Sequence, residues 1–277
     1  MGMRVTTNLA AINAQRNLIG SQRVMGKSMA QLSSGSRINI AADDAAGLAI
    51  SERLKSQIRS ARQANRNAND GISMVQTAEG GLNEIGNIVS RLRELGIQSA
   101  SDTVGSVERG FIDKEVQQMK SEINRIAKST KWGTTNLLDG STPEFDFQIG
   151  TFNNAEEDRI SFTSAENIAT LDALGLNGLD YTTKEGAQEA LTALDSSQNL
   201  VNGYRANLGA LQNRLTATVD NLSVQEENMS AANSRIRDTD VAMASSEMVR
   251  NNILMQAGTS TLTQANSNNQ VALKLIG

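Results

Sequence analysis

A few short stretches carry residue types that could support chemistry. Gly20-Ser-Gln-Arg-Val-Met-Gly26-Lys27-Ser28 has the ingredients of a phosphate-binding loop, in which backbone amides cradle phosphates and a Lys reaches the terminal ones. Five residues separate its glycines where that loop needs four, no strand precedes it, and it lies inside a helical repeat, so the cradle has no frame. Met1-Gly2-Met-Arg-Val-Thr6 fits an N-myristoylation pattern of low specificity. Asn221-Leu-Ser223 and Asn228-Met-Ser230 fit N-glycosylation acceptors, but both fall in the middle of a helical pattern. Asp43-Asp44 and Glu156-Glu157-Asp158 group carboxylates without an acid–base partner, and read as a helix cap and a solvated loop. Asp238-Thr-Asp240 offers carboxylate oxygens but lacks the ligand loop of a calcium site.

The absences are more decisive. The chain has no Cys and no His, which removes thiolate nucleophiles, disulfides, the usual proton shuttle and the commonest metal ligand. Catalysis is therefore not expected, nor any cofactor. A net charge of −4 without a Lys/Arg block argues against nucleic acid as a partner. No apolar run reaches membrane-spanning length, so no membrane insertion is expected. Asn8, Asn13 and Gln15 interrupt any secretory h-region near the amino end, so departure from the cytoplasm would need another route.

What the sequence does specify is long helices. Aromatic residues make up only 3% of the chain and a single Pro leaves helical runs unbroken. Leu194, Val201, Leu208, Leu215, Leu222, Met229 and Ile236 recur at a strict seven-residue interval, which holds one seam toward a partner helix. The second seam column is weaker: Leu191, Gln198, Arg205 and Gln212. Val241, Met248, Met255, Leu262, Asn269 and Ile276 restart the repeat in a new register, which predicts a joint near Asp238. Leu54, Ala61, Ala68, Val75, Leu82 and Val89 form another column within 44–100, with many small residues in its seam to admit a partner helix. Ile112, Val116, Met119, Ile123 and Ile126 predict a third helix over 106–129. A first helix runs from about Asn8 and stops near Gly35. Between Lys131 and Leu179, the alternation of Phe145, Phe147 and Ile149, then of Ile160 and Phe162, predicts a β-hairpin at about 144–164. Leu171 to Leu179 reads as a Gly-punctuated return loop, and Thr183 to Glu185 as the cap of the next helix. The expected fold is mainly α, a long discontinuous coiled-coil bundle with a small β-hairpin.

Both ends of the chain, 1–34 and 241–277, are helical in pattern yet rich in Asn, Gln, Ser and Thr. Their narrow apolar seams offer little burial against the entropy of ordering so many residues. They are expected to become ordered only when many copies pack side by side. The seam assigned to that packing comprises Leu9, Ile12, Leu18, Met25 and Leu32 at one end, and Met248, Met255, Leu262, Leu273 and Ile276 at the other.

Specific residues also carry a family resemblance. Val5-Thr-Thr-Asn-Leu-Ala-Ala-Ile-Asn-Ala-Gln-Arg16 and Leu32-Ser-Ser-Gly-Ser-Arg-Ile-Asn-Ile-Ala-Ala-Asp-Asp-Ala-Ala-Gly-Leu-Ala-Ile50 resemble the amino end of bacterial flagellins. Ser90-Arg-Leu-Arg-Glu-Leu-Gly-Ile-Gln-Ser-Ala100, Gln225-Glu-Glu-Asn-Met-Ser-Ala-Ala-Asn-Ser-Arg-Ile-Arg-Asp-Thr-Asp240 and Gln256-Ala-Gly-Thr-Ser260 with Ala265-Asn266 are similar to that family's other signatures. The resemblance implies a flagellar filament subunit of a short core form, secreted through the flagellar type III apparatus, that polymerises with itself. It implies a terminal coiled-coil domain made of 1–43 and 240–277, lining the filament's inner tube, and a bundle domain with the hairpin over 44–239. It further implies an export chaperone on the carboxy end from about Asn233, hook-junction proteins at the filament base and a distal cap protein. In many flagellins an Arg-x-Arg-Glu-Leu stretch and a Glu on the next helix are read by a Toll-like receptor of the host; the matching positions are Arg91, Leu95 and Glu115. This chain differs nearby, with Ser90, Gly96 and Ser101 where Gln, Ala and Asn are more usual. The alternatives are a hook-filament junction protein, which shares the terminal helices, and a coiled-coil adaptor that binds partner helices without polymerising.

Overall fold

The computed structural model describes residues 7–141 and 144–276, with side chains as far as Asn268. Six helices and four short strands follow in order: α1 (Leu9–Ser34), α2 (Ala45–Ser99), α3 (Ser106–Ser129), β1 (Lys131–Trp132), β2 (Thr135–Asn136), β3 (Phe145–Gln148), α4 (Ala155–Asp158), β4 (Arg159–Phe162), α5 (Lys184–Arg237) and α6 (Val241–Ile276). The helix ends follow local chemistry. Asn8 caps α1 by accepting the amide of Ala11, and Gly35 ends the helix at φ +68°, a left-handed conformation that costs glycine nothing. Asp44 accepts the amide of Gly47 at 2.8 Å at the start of α2. Thr183 Oγ1 accepts that of Gly186 at 3.1 Å at the start of α5.

The chain divides into two compact units, one of residues 57–227 and one of residues 1–56 with 228–277. The bundle unit holds the main core. There α5 runs antiparallel to α2, as the ion pairs Arg62–Glu226, Arg205–Glu79 and Arg93–Asp195 fix. Leu194, Val201, Leu208 and Leu215 are fully buried in that core, with Leu82, Ile85, Val89 and Leu92 of α2 and Val116 and Ile123 of α3. The small residues of α2 serve two neighbours rather than one helix. Gly86 faces Val201 of α5, but a side-chain carbon at Gly71 would meet the ring of Phe147 at 3.1 Å, and one at Gly81 would meet Thr130 and Leu138. Small residues of α2 thus also make room for the Phe147 ring and for Thr130 and Leu138.

The predicted hairpin forms, with β3 and β4 antiparallel in the register Phe145↔Phe162 and Phe147↔Ile160. Phe162 and Ile160 are buried, and the Phe145 and Phe162 rings stand 6.0 Å apart. Between the strands, Asn154 caps the one-turn helix α4. Asp158, read from sequence as part of a solvated loop, is buried because its carboxylate accepts the amide of Asn154 at 2.9 Å. A second, two-residue hairpin, β1–β2, has no alternation long enough to announce it.

The return segment is more than a surface loop. Leu171, Leu174, Leu176, Leu179 and Tyr181 are all buried in the core. Local turns satisfy its backbone, with the amide of Leu174 on the Thr170 carbonyl and that of Leu176 on Leu171, while Gly175 takes φ +69°. The Tyr181 hydroxyl donates to the Leu92 carbonyl at 3.0 Å, and burial pushes its pKa up to about 12.

Two contrasts follow. Leu208→Ala should cost about 2–5 kcal/mol of bundle stability, as a cavity in a packed core does, whereas Ile12→Ala should lie within about 0.5 kcal/mol of the parent; thermal denaturation followed by circular dichroism separates them. The hydrogen bond from Lys27, joined by the amides of Asn39 and Ile40, holds the Asp43 carboxyl below its ordinary range. A lowered folded-state pKa contributes stability above the ordinary carboxylate value and loses it as pH falls through the lowered one. Asp43→Asn should therefore flatten the decline in stability between about pH 5 and pH 2, read by denaturant titrations across that range.

Candidate functional site

The terminal unit is built from the two ends of the sequence. Helices α1 and α6 pair in antiparallel fashion: the Asn8 side-chain amide donates to the Ala265 carbonyl at 2.9 Å, and Gly258 faces Leu18 closely enough that a side-chain carbon there would sit 3.3 Å from it. Helices α1 and α6, whose segments the sequence expects to gain order from neighbouring copies, are paired with each other along one face. Each covers one narrow stripe of the other. Leu18, Met25 and Leu32 of α1 and Met248, Met255 and Leu262 of α6 are half-buried along it. Leu9 and Ile12 are not, being 57% and 44% exposed. Leu273 and Ile276 lie outside the described side chains.

The sequence reading missed the other half of the stripe. Ala11, Ala14, Ser21 and Ser28 fill the intervening positions of α1, and Ala244, Asn251, Gly258 and Ala265 those of α6. Their three-and-four spacing with the large residues was the available signal; their small size hid it. Gly20 to Ser28, the phosphate-loop look-alike, is simply the middle of α1.

The joint between helices is stitched across the chain. The Arg37 amide donates to the Arg237 carbonyl at 2.6 Å, the Thr239 amide donates to Gly35, and the Arg37 guanidinium donates to the Ile236 carbonyl at 2.8 Å. Arg237 pairs with Glu52, the Ser51 hydroxyl donates to Asn233, and Ile38 is buried beneath the turn. These bonds tie the first turns of α2 and the last turns of α5 to the unit. Asp238 and Asp240 serve the joint: Ser36 and Asp238 form a backbone bridge, and Asp240 accepts the Met243 amide at the head of α6. Among the described residues no cluster of three carboxylates could hold a metal ion.

Little apolar surface of this unit is covered. Ile38 and Ala244 are its buried apolar side chains among the described residues, while Ile19, Val24, Val241, Val249, Ile253 and Leu254 stand exposed beside Leu9 and Ile12.

In the bundle unit, Arg91 and Glu115 meet across α2 and α3 at 3.2 Å, with Glu94 on Arg91 at 2.8 Å. The bond to Glu94, then that to Glu115, raises the Arg91 pKa. Leu95 is 2% exposed and packs in the core. The three residues are neighbours, but only the ion pair is presented to solvent.

The comparisons with known proteins agree with this geometry. Residues 5–142 match the bacterial flagellin N-terminal helical region and residues 191–276 the bacterial flagellin C-terminal helical region. A flagellin of Halalkalibacterium halodurans is 43% identical over 274 residues, covering 99% of this chain and all of the relative. The flagellar filament 33 kDa core protein of Treponema phagedenis is 40% identical, again over 99% of this chain and all of the relative. The crystal structure of Bacillus cereus flagellin matches with a TM-score of 0.51 at 29% identity, covering 61% of this chain and 94% of that one. With both helical regions present and no outer domain between them, the chain belongs to the bacterial flagellin family as a short core form, a structural subunit of the flagellar filament and not an enzyme.

Proposed function

We propose that the paired helices α1 and α6 are the surface through which copies of this chain polymerise. The observation that carries the reading is the apolar flank left on both helices after they have paired, from Leu9 and Ile12 to Ile253 and Leu254. In the single chain these side chains meet water; side-by-side packing of copies removes them from it, at about 25 cal/mol per Å² buried. Leu18, Met25, Leu32, Met248, Met255 and Leu262 hold the pair together, and the flanks join one pair to the next. In this reading the terminal unit lines the filament and the bundle unit with its hairpin forms the wall.

Family membership supports the accompanying steps. The subunit travels unfolded through the flagellar type III apparatus, with its carboxy end from about Asn233 held by an export chaperone. It adds beneath a distal cap protein on a filament started by hook-junction proteins. A host Toll-like receptor reads the Arg91–Glu115 pair, with Leu95 shaping that surface from beneath.

Ile12→Asp combined with Ile253→Asp places charge on the exposed flanks without touching the core. Elongation on filament seeds, followed by light scattering, should fall at least about 30-fold, the loss expected of a central interface residue, while the helical spectrum and melting temperature stay put. Wild-type elongation would remove the assignment. In a receptor reporter assay, Arg91→Ala with Glu115→Gln should weaken signalling by about ten-fold, as loss of an anchoring charge does; undiminished signalling would exclude the pair as a contact.

A further inference from the structure

The chain holds two Asn-Gly dipeptides, Asn177-Gly178 and Asn202-Gly203, both within the bundle unit. All four residues are exposed, so access to water does not separate the pairs. Their backbones do. Asn202 and Gly203 lie inside α5, where the Gly203 amide belongs to the helical hydrogen-bond ladder. A helical side chain also leans toward the amino end, away from the amide that follows it. Asn177 and Gly178 instead form a turn in the return segment, between buried Leu176 and Leu179. Among the described residues no group accepts the Gly178 amide, and a side-chain carbon at Gly178 would meet nothing within 4 Å. Two outside groups reach Asn177. The Lys120 ammonium of α3 donates to its backbone carbonyl at 2.8 Å, and its side-chain amide donates to the Asp172 carboxylate.

We propose that Asn177 is a self-modification site, where the folded bundle unit uses Lys120 to promote deamidation. Water is the only reagent. Hydroxide removes the Gly178 amide proton, and the nitrogen anion attacks Cγ of Asn177. The new nitrogen–carbon bond closes a cyclic succinimide. The Cγ–Nδ2 bond breaks, and Nδ2 takes a proton from water and leaves as ammonia. A second water opens the ring at either carbonyl and leaves aspartate or isoaspartate. Nothing is oxidised or reduced.

Lys120 acts on the nucleophile. Resonance spreads the charge of the deprotonated peptide between the Gly178 nitrogen and the Asn177 oxygen. A cation hydrogen-bonded to that oxygen stabilises the anion as it forms. Each anion then attacks somewhat more slowly, but reactivity falls less steeply than basicity, so the net effect is acceleration. The Asp172 bond anchors the side chain in the turn, next to its own backbone. Either product sets a second carboxylate beside Asp172. Isoaspartate also lengthens the backbone by one methylene between Leu176 and Leu179.

The test uses the whole folded chain, incubated in warm, mildly alkaline buffer and digested. Mass spectrometry reads deamidation at each Asn, and an isoaspartate-specific methyltransferase labels the isomer. Asn177 should react at least about ten-fold faster than Asn202, because only its backbone is free to bring nitrogen and Cγ together. Lys120→Met should slow Asn177 by about five-fold, as loss of one exposed charge-assisted hydrogen bond does, while Lys120→Arg keeps the parent rate. In guanidinium chloride, where the turn and α3 no longer meet, parent and Lys120→Met should deamidate alike. A rate at Asn177 no greater than at Asn202 in the folded chain would overturn the proposal. So would an unchanged rate in Lys120→Met, an equal loss in Lys120→Arg, or a Lys120→Met effect that persists in denaturant.

Discussion

The structure depends on how closely α5 can lie against the elements around it. Leu194, Val201, Leu208 and Leu215 are removed from water almost completely, and their seven-residue spacing leaves only one direction in which they can point. That column is continuous over many turns, so a register shift would uncover several large side chains at once. Polar residues in the companion column sharpen the choice. Arg205 reaches Glu79 across the interface, a pairing available in one register only. The hairpin and the return segment then fill the space that small α2 residues leave beside this seam.

The terminal unit inverts that economy. Its seam alternates Leu and Met with Ala, Ser, Asn and Gly, which brings two backbones together but covers little apolar area. The remaining large side chains face outward. The bundle thus covers its own apolar surface, while the helix pair leaves much of its own exposed.

Much of this architecture was legible from residue spacing. The boundaries of α1, α3 and α5, the joint at Asp238 and the main hairpin all have strong local signals: a cap, a terminating Gly, a long periodic run or strict alternation. What escaped was short or non-local. The two-residue strands β1 and β2 carry no period. The burial of Leu171 to Tyr181 depends on where the chain returns, which spacing cannot say. In the stripe between α1 and α6, the large residues were visible, but the small ones between them looked like filler. Leu9 and Ile12 are apolar but out of step with Leu18, Met25 and Leu32, whose seven-residue column continues to Ala11, with Ala14 in the companion column, so they lie off the stripe. The ion pair of Arg91 with Glu115 was reached through family resemblance, since nothing in a one-dimensional pattern joins positions on separate helices.

The stitching of Asn8 to Ala265 has a temporal consequence. Those partners are separated by 257 positions, nearly the full span of the polypeptide. Contacts of such separation close late, because the intervening chain must be in place before they reward the entropy of closing the loop. During synthesis the first helix therefore waits without its mate until the ribosome has finished almost everything else. The pairing of the two ends cannot begin before both have been made.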